Sequence, residues 1–193
     1  MWKLARYRVA AGIATRPLAD ILADQTGESG VVNETAPTGA LPPELLQEWR
    51  RRVHGAFGGS LHLRHVDSGS CNACEWELTA LMNPVYDMQR LGIDFVASPR
   101  HADVLVVTGG LTRNLVEAVR LTYEATAHPK AVLAMGDCAC GTGLLGRTYA
   151  QSGRVDTCVP VLVSIPGCPP HPHRIILGLL EVMARLEEAQ NPG

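Results

Sequence analysis

The stretch Asp67-Ser68-Gly69-Ser70-Cys71-Asn72-Ala73-Cys74-Glu75 places two thiols three residues apart, directly after the run Leu61 to Val66, which reads as a strand. Two later segments have the same construction, a strand-like apolar run that ends in a glycine-flanked cysteine. They are Ala131-Val132-Leu133-Ala134-Met135-Gly136-Asp137-Cys138, and Val159 to Ile165 followed by Pro166-Gly167-Cys168-Pro169-Pro170. In an open parallel sheet the carboxyl ends of all strands face one edge, and that edge is where such folds bind ligands. Cys71, Cys74, Cys138 and Cys168 are therefore expected to converge there. Four thiolates around one point match a 4Fe-4S cluster or a structural zinc ion. Glycines beside the cysteines let the backbone approach closely and turn N–H groups toward an anionic centre. Taken alone, the Cys71/Cys74 pair reads equally as a thioredoxin-like redox motif or as two buried cysteines. The two matching loops separate it from those readings.

Working outward, Asp103 to Gly109 (DVLVVTG) is a near-continuous apolar run, the pattern of a strand buried on both faces. Gly109-Gly110 then leads into a helix expected from about Thr112 to Thr126, with Leu115, Val119 and Thr122 on one side. Alternating strands and helices imply an α/β fold, a flavodoxin-like doubly wound parallel sheet with helices on both faces and the site at the carboxyl ends of the strands. Beyond the first cysteine pair, Leu78, Leu81, Met82 and Val85 share a helical face, and Asn83-Pro84 supplies a cap and first position for a second short helix ending at Gly92. Gly141-Thr142-Gly143 turns into a short helix expected near Leu144 to Ala150; its spacing is not that of a dinucleotide fingerprint. Pro172 opens a last helix whose Ile175, Ile176, Leu179, Met183 and Leu186 form an apolar stripe, with Arg174, Glu181 and Arg185 outside.

The domain so described is expected to occupy residues 43–193 and to open with a helix from Pro43 carrying Leu45, Leu46, Trp49 and Val53 at helical spacing. Arg50-Arg51-Arg52 in that helix reads as a solvated or partner-facing surface. Residues 24–42, rich in Gly, Pro, Thr and Glu, read as a linker. Residues 1–23 read as an amphipathic N-terminal arm, with Trp2, Leu4, Tyr7, Val9 and Ile13 set among Lys3, Arg6, Arg8 and Arg16. Such a segment lies on a membrane surface, docks on a partner, or is a plain extension. It lacks the long apolar core of a signal peptide.

The chain has 193 residues, 46% of them hydrophobic and 19% charged, with a net charge of −2. That length suffices for one domain with a substantial core plus extensions. No basic excess points to nucleic acid. Six cysteines without a secretory signal point to a reducing compartment and to metal or redox use rather than disulfides. No apolar run approaches the roughly 20 residues that span a bilayer.

The motifs SGSCNACEWE, MGDCA and GRVDTCVPVLVSIPGCPP, in this order across Leu61 to Leu186, resemble one family. It is the small cluster-bearing subunit shared by membrane-bound nickel–iron hydrogenases of the formate hydrogenlyase type and by respiratory complex I, where it is the 20 kDa subunit. The resemblance implies that Cys71, Cys74, Cys138 and Cys168 ligate a single 4Fe-4S cluster. It also implies a large hydrogenase-like or complex I-like partner subunit that carries the catalytic site, a ferredoxin-like iron–sulfur subunit, membrane subunits, and a cytoplasmic place on the inner face of the cell membrane. Complex I subunits carry adjacent cysteines at the first site. This chain separates them with Asn72 and Ala73, as the hydrogenase branch does. Leu162 stands where an aspartate is common in both branches.

Glu75 and Glu77 match family positions beside the cluster, as proton relays or partner seats, and read equally as helix-start or surface carboxylates. His65 and His101 are candidate hydrogen-bond donors near the cluster edge. Cys140 and Cys158 fall outside the ligand pattern, Cys158 reading as a small buried hydrophobe. No nucleophile–base pair and no nicotinamide or flavin motif is legible, so catalytic residues are not expected in this chain. The expected function is that of an electron-transfer subunit of a membrane-associated nickel–iron hydrogenase-like complex. A complex I-like quinone or ferredoxin oxidoreductase and a zinc-stabilised binding module are the alternatives. No further cysteine motif follows Cys168, so electrons are expected to enter or leave through another iron–sulfur subunit.

Overall fold

Runs of β-branched and aliphatic residues punctuated by glycine set the strands, and the computed structural model, which describes residues 43–143 and 148–190, resolves them as follows. The strands are β1 (Leu61–Asp67), β2 (Ile93–Phe95), β3 (Val104–Thr108), β4 (Leu111–Thr112), β5 (Ala131–Met135), β6 (Gln151–Gly153) and β7 (Val163–Ile165). The helices are α1 (Pro43–Ala56), α2 (Ala73–Leu81), α3 (Val116–Ala125), α4 (Asp137–Cys140) and α5 (Pro172–Gln190). Five strands form an all-parallel sheet in the order β2-β1-β3-β5-β7, while β4 and β6 make a small antiparallel pair. Counting only the sheet's own strands, the order is second-first-third-fourth-fifth, the flavodoxin-like winding expected from the alternation.

Every residue of β3 and β5 is buried, because helices cover both sheet faces. Side chains alternate between the faces. Leu61, Leu63, Val104, Val106, Leu133 and Met135 pack on one face with Trp49 and Val53 of α1, Leu78 and Leu81 of α2, and the α5 residues Ile175, Ile176, Leu179 and Met183. Val66, Leu105, Val107, Val132 and Ala134 pack on the other with Val119 of α3 and Ala139 of α4. The apolar stripe of α5 is buried as its spacing predicts.

Several expected boundaries move. The helix expected from Thr112 begins at Val116, because Leu111–Thr112 pairs with β6 and Thr112 N–H donates to Ser68 O at 2.8 Å. Asn83-Pro84 starts no helix. The Asn83 side chain instead accepts from Val85 N–H at 2.9 Å and Tyr86 N–H at 3.2 Å, and only a 3-10 turn, Met88–Leu91, forms before Gly92. Val85 is exposed rather than on the buried face of α2. The final strand is confined to Val163–Ile165, and Cys158 ends a 3-10 turn, Val155–Thr157, instead of opening that strand. Residues 144–147 of the helix expected after Gly143 lie outside the described residues, and Gln151–Gly153 beyond them is extended. The expected arm, 1–23, and linker, 24–42, also lie outside them.

Candidate metal centre

Each cysteine loop leaves the carboxyl end of a parallel strand, β1, β5 or β7, and the geometry follows from how these loops interlock. At the winding switch between β1 and β3, the loop Asp67–Ser70 crosses the loop after β3. Ser68, fully buried, donates from Oγ to Thr108 O at 2.7 Å and to Gly109 O at 3.0 Å, and Asp67 Oδ1 accepts from Gly69 and Ser70 N–H at 2.7 Å each. Gly109 has φ +81°, and a β-carbon built on it would lie 2.4 Å from Ser70 N, so only glycine permits this crossing. Asn72 takes a left-handed φ of 73° and turns the chain directly into α2, which carries Cys74 inward.

The second and third loops join each other. Gly136 N–H donates to Ile165 O at 2.8 Å, Asp137 N–H donates to Gly167 O at 2.9 Å, and Asp137 Oδ1 accepts from Gly167 N–H at 2.7 Å. Gly136, at φ +92°, is the floor under Cys74: a β-carbon there would stand 2.6 Å from Cys74 Sγ. A β-carbon on Gly143 would stand 2.5 Å from Cys138 Sγ.

The thiols act on one another. Burial pushes the Cys74 thiol up to about 12, and the neighbouring charges of Glu75, Cys71, Cys138 and Cys168 push it the same way. Cys168 is raised by burial first, then by Asp137 and Cys71. Near neutral pH, sulfurs that disfavour one another's ionised form become thiolates together where a cationic centre offsets their repulsion. Cys140 is also raised by burial, but its Sγ points toward Ala134 O at 3.9 Å; Cys158, raised by burial, lies toward Val116 O at 3.7 Å.

Around the site, Thr108 Oγ1 donates a short hydrogen bond to Glu75 Oε1 and accepts from His65 Nε2 at 2.8 Å, which places the His65 proton on Nε2. His65 Nε2 is also 3.3 Å from Glu75 Oε1. Burial lowers the His65 pKa and outweighs the opposing pull of Glu75 and Asp67. Glu75 Oε2 is buried without a hydrogen-bond partner. Glu77, by contrast, acts on Tyr86, whose hydroxyl is raised by burial first and by Glu77 second. His101 lies in the turn Pro99–His101 before β3, exposed at the amino end of the sheet and so on the edge opposite the cysteines. Sequence reasoning passed over Ser68, Thr108 and Asp137, whose partners lie 30 or more residues away in the chain.

A family model described as "NADH ubiquinone oxidoreductase, 20 Kd subunit" matches residues 71–182. The chain belongs to this family. Members of the 20 Kd subunit family are oxidoreductase subunits of hydrogenase and NADH-quinone oxidoreductase complexes. One relative, the probable membrane-bound hydrogenase subunit mbhJ of Pyrococcus furiosus, is 42% identical over 139 residues, which are 70% of this chain and 83% of that one. Formate hydrogenlyase subunit 7 of Escherichia coli is 38% identical over 137 residues, 69% of this chain, and this chain spans only 54% of its length. A solved chain of the membrane-bound sulfane sulfur reductase, an archaeal respiratory membrane complex, superposes with a TM-score of 0.60 at 32% identity, covering 75% of this chain and 77% of that one. Among the described residues, no helix is long and apolar enough to cross a membrane.

Proposed function

We propose that Cys71, Cys74, Cys138 and Cys168 hold one 4Fe-4S cluster, and that the chain passes electrons between it and a large subunit of nickel–iron hydrogenase type in a membrane-associated complex. The observation that carries this reading is that three strand-end loops bring four cysteines to one edge over a glycine floor, where burial and the neighbouring sulfurs push Cys74 up to about 12. Such a donor set calls for a cationic centre. Iron–sulfur binding is typical of the family. A structural zinc ion would take the same four sulfurs, at about 2.3 Å from a single centre, and an iron assay with a visible spectrum on the anaerobically purified protein separates the two.

When bound, a cluster of this kind supplies one-electron transfer. The chain's own residues would hold it, Cys74 half-buried and Cys71 and Cys168 exposed at the edge, and would set its surroundings through Glu75 and the Asp137 loop. With all four positions taken by cysteine, hydrogen or quinone chemistry falls to the partner subunit on this reading. A ferredoxin-like iron–sulfur subunit and membrane subunits complete the proposed assembly on the inner face of the membrane, with the basic arm, 1–23, docking on lipid or on a neighbour.

The test is the complex purified anaerobically with this chain carrying Cys71→Ala, Cys74→Ala, Cys138→Ala or Cys168→Ala. Each should abolish the 4Fe-4S electron paramagnetic resonance signal of this site, while Cys140→Ala and Cys158→Ala keep it. Retention in Cys138→Ala with loss in Cys140→Ala would reassign the ligand in that loop. Nickel in the complex and hydrogen-dependent dye reduction decide the partner's chemistry. A second reading, a complex I-like quinone or ferredoxin oxidoreductase, draws support from the family's description and from the respiratory complex superposed above. A nickel-free complex that still needs Cys71 and Cys74 would establish it. The separation of those two cysteines by Asn72 and Ala73 favours the hydrogenase reading.

A further inference from the structure

The four loop-borne thiols fall into two halves, and what joins each half differs. Asp67 accepts only from Gly69 and Ser70, so its carboxylate shapes its own loop. Asp137 reaches 30 residues along the chain, accepting from Gly167 N–H at 2.7 Å while its own N–H donates to Gly167 O at 2.9 Å. With Gly136 N–H donating to Ile165 O at 2.8 Å, this extends the β5–β7 pairing past the ends of both strands, its last bond made by a side chain instead of backbone. The residues locked together are the immediate neighbours of Cys138 and Cys168. Backbone pairing between β5 and β7 ends at Met135 and Ile165, so beyond it the carboxylate joins the Gly136 and Asp137 amides in tying the Cys168 loop to its neighbour.

We propose that Asp137 is a positioning residue: by accepting from the Gly167 amide it fixes the separation of the Cys138 and Cys168 thiols, so that two separate loops present one preset half-site. The inference rests on the cluster reading above. The function it assigns needs an acceptor at Oδ1, not a negative charge. Asparagine supplies that acceptor and alanine does not.

The experiment compares wild type, Asp137→Asn and Asp137→Ala in the anaerobically purified complex, following iron loss to an excess of chelator by the decay of visible absorbance. Loss of a group that orients metal ligands weakens metal retention by roughly 10- to 100-fold. Asp137→Ala should therefore shed iron faster by that factor, and Asp137→Asn should stay close to wild type. Alanine retention equal to wild type, or asparagine losing iron as fast as alanine, overturns the proposal. Amide exchange at Gly167 in the iron-free folded chain is the second readout: fast in Asp137→Ala, slow in wild type and Asp137→Asn. If the wild-type chain holds no iron, the cluster reading fails, and the exchange result still decides whether Asp137 couples the loops.

Discussion

At Gly136 one hydrogen atom decides whether Cys74 has a place. The left-handed φ of +92° is costly for any other residue, and the absent β-carbon would overlap Cys74 Sγ at 2.6 Å. Gly136→Ala should therefore lower bound iron sharply and destabilise the fold by roughly 2–6 kcal/mol, about 1–3 each from the strained backbone and from overpacking. Iron per chain and circular dichroism on one preparation check this; full iron content in the alanine variant would remove Gly136 from the site. His65 gives a second prediction. Its folded-state pKa lies below the unfolded value because burial disfavours the imidazolium, so the unfolded chain binds the extra proton. The stabilising contribution is complete above about pH 6.5, the ordinary histidine value, and is lost as pH falls through the lowered one. The drop in urea midpoint between pH 7.5 and 5.5 should shrink in His65→Gln. An unchanged drop would mean that other groups carry the acid sensitivity. The placement of the four cysteines just beyond strand ends was legible because thiols, glycines and strand ends recur together in the sequence. The Thr108 hydrogen bonds to Glu75 and His65 were not, since they join residues 33 and 43 positions apart and leave no local pattern.

Elements were legible in proportion to their length and periodicity. The 19-residue α5 repeats its apolar residues from Ile175 to Leu186, over about three turns, and that stripe is buried as read. The three-residue strand β2 carries no usable alternation, and it exists because Leu61, His62 and Leu63 of β1 offer an open edge to pair with. The β4–β6 pair was missed for the same reason, and forming it delays the start of α3 by four residues relative to the expectation. Within α5, Gly178 sits where the helix presses on β7: a β-carbon there would come 2.3 Å from Ile165 Cδ1. Alanine would gain about 1 kcal/mol of helix propensity, but pushing the helix off Ile165 costs about 1–3 kcal/mol. Because Ile165 O also accepts from Gly136 N–H, the displacement passes into the loops bearing Cys138 and Cys168. Gly178→Ala should unfold at equal or slightly lower denaturant than wild type and lose iron faster. A variant both more stable and fully loaded would show that the side chain of Ile165 absorbs the change.

Over the whole molecule, the cysteine edge is assembled from strands that lie apart in the sheet. Cys71 and Cys74 follow β1, while Cys138 and Cys168 follow β5 and β7, with β3 between the two groups. A cluster held by all four thiols would cross-brace the sheet at its carboxyl edge, so its binding free energy would also be folding free energy. A group that binds only the folded state at a hundred times its dissociation constant adds about 2.7 kcal/mol. For a domain of this size each kcal/mol moves the melting temperature by roughly 2–4 °C, which predicts a holo form melting roughly 5–11 °C above the apo form. The thiols repel one another when ionised, so the apo form should also lose stability as pH rises toward the range where they deprotonate, whereas the holo form should not. Because Cys74 is raised to about 12, that loss sets in above the ordinary thiol range, and differential scanning calorimetry of both forms between pH 7 and about 11 measures both effects. Coincident melting curves would mean that the four loops do not share one ligand, however close they lie.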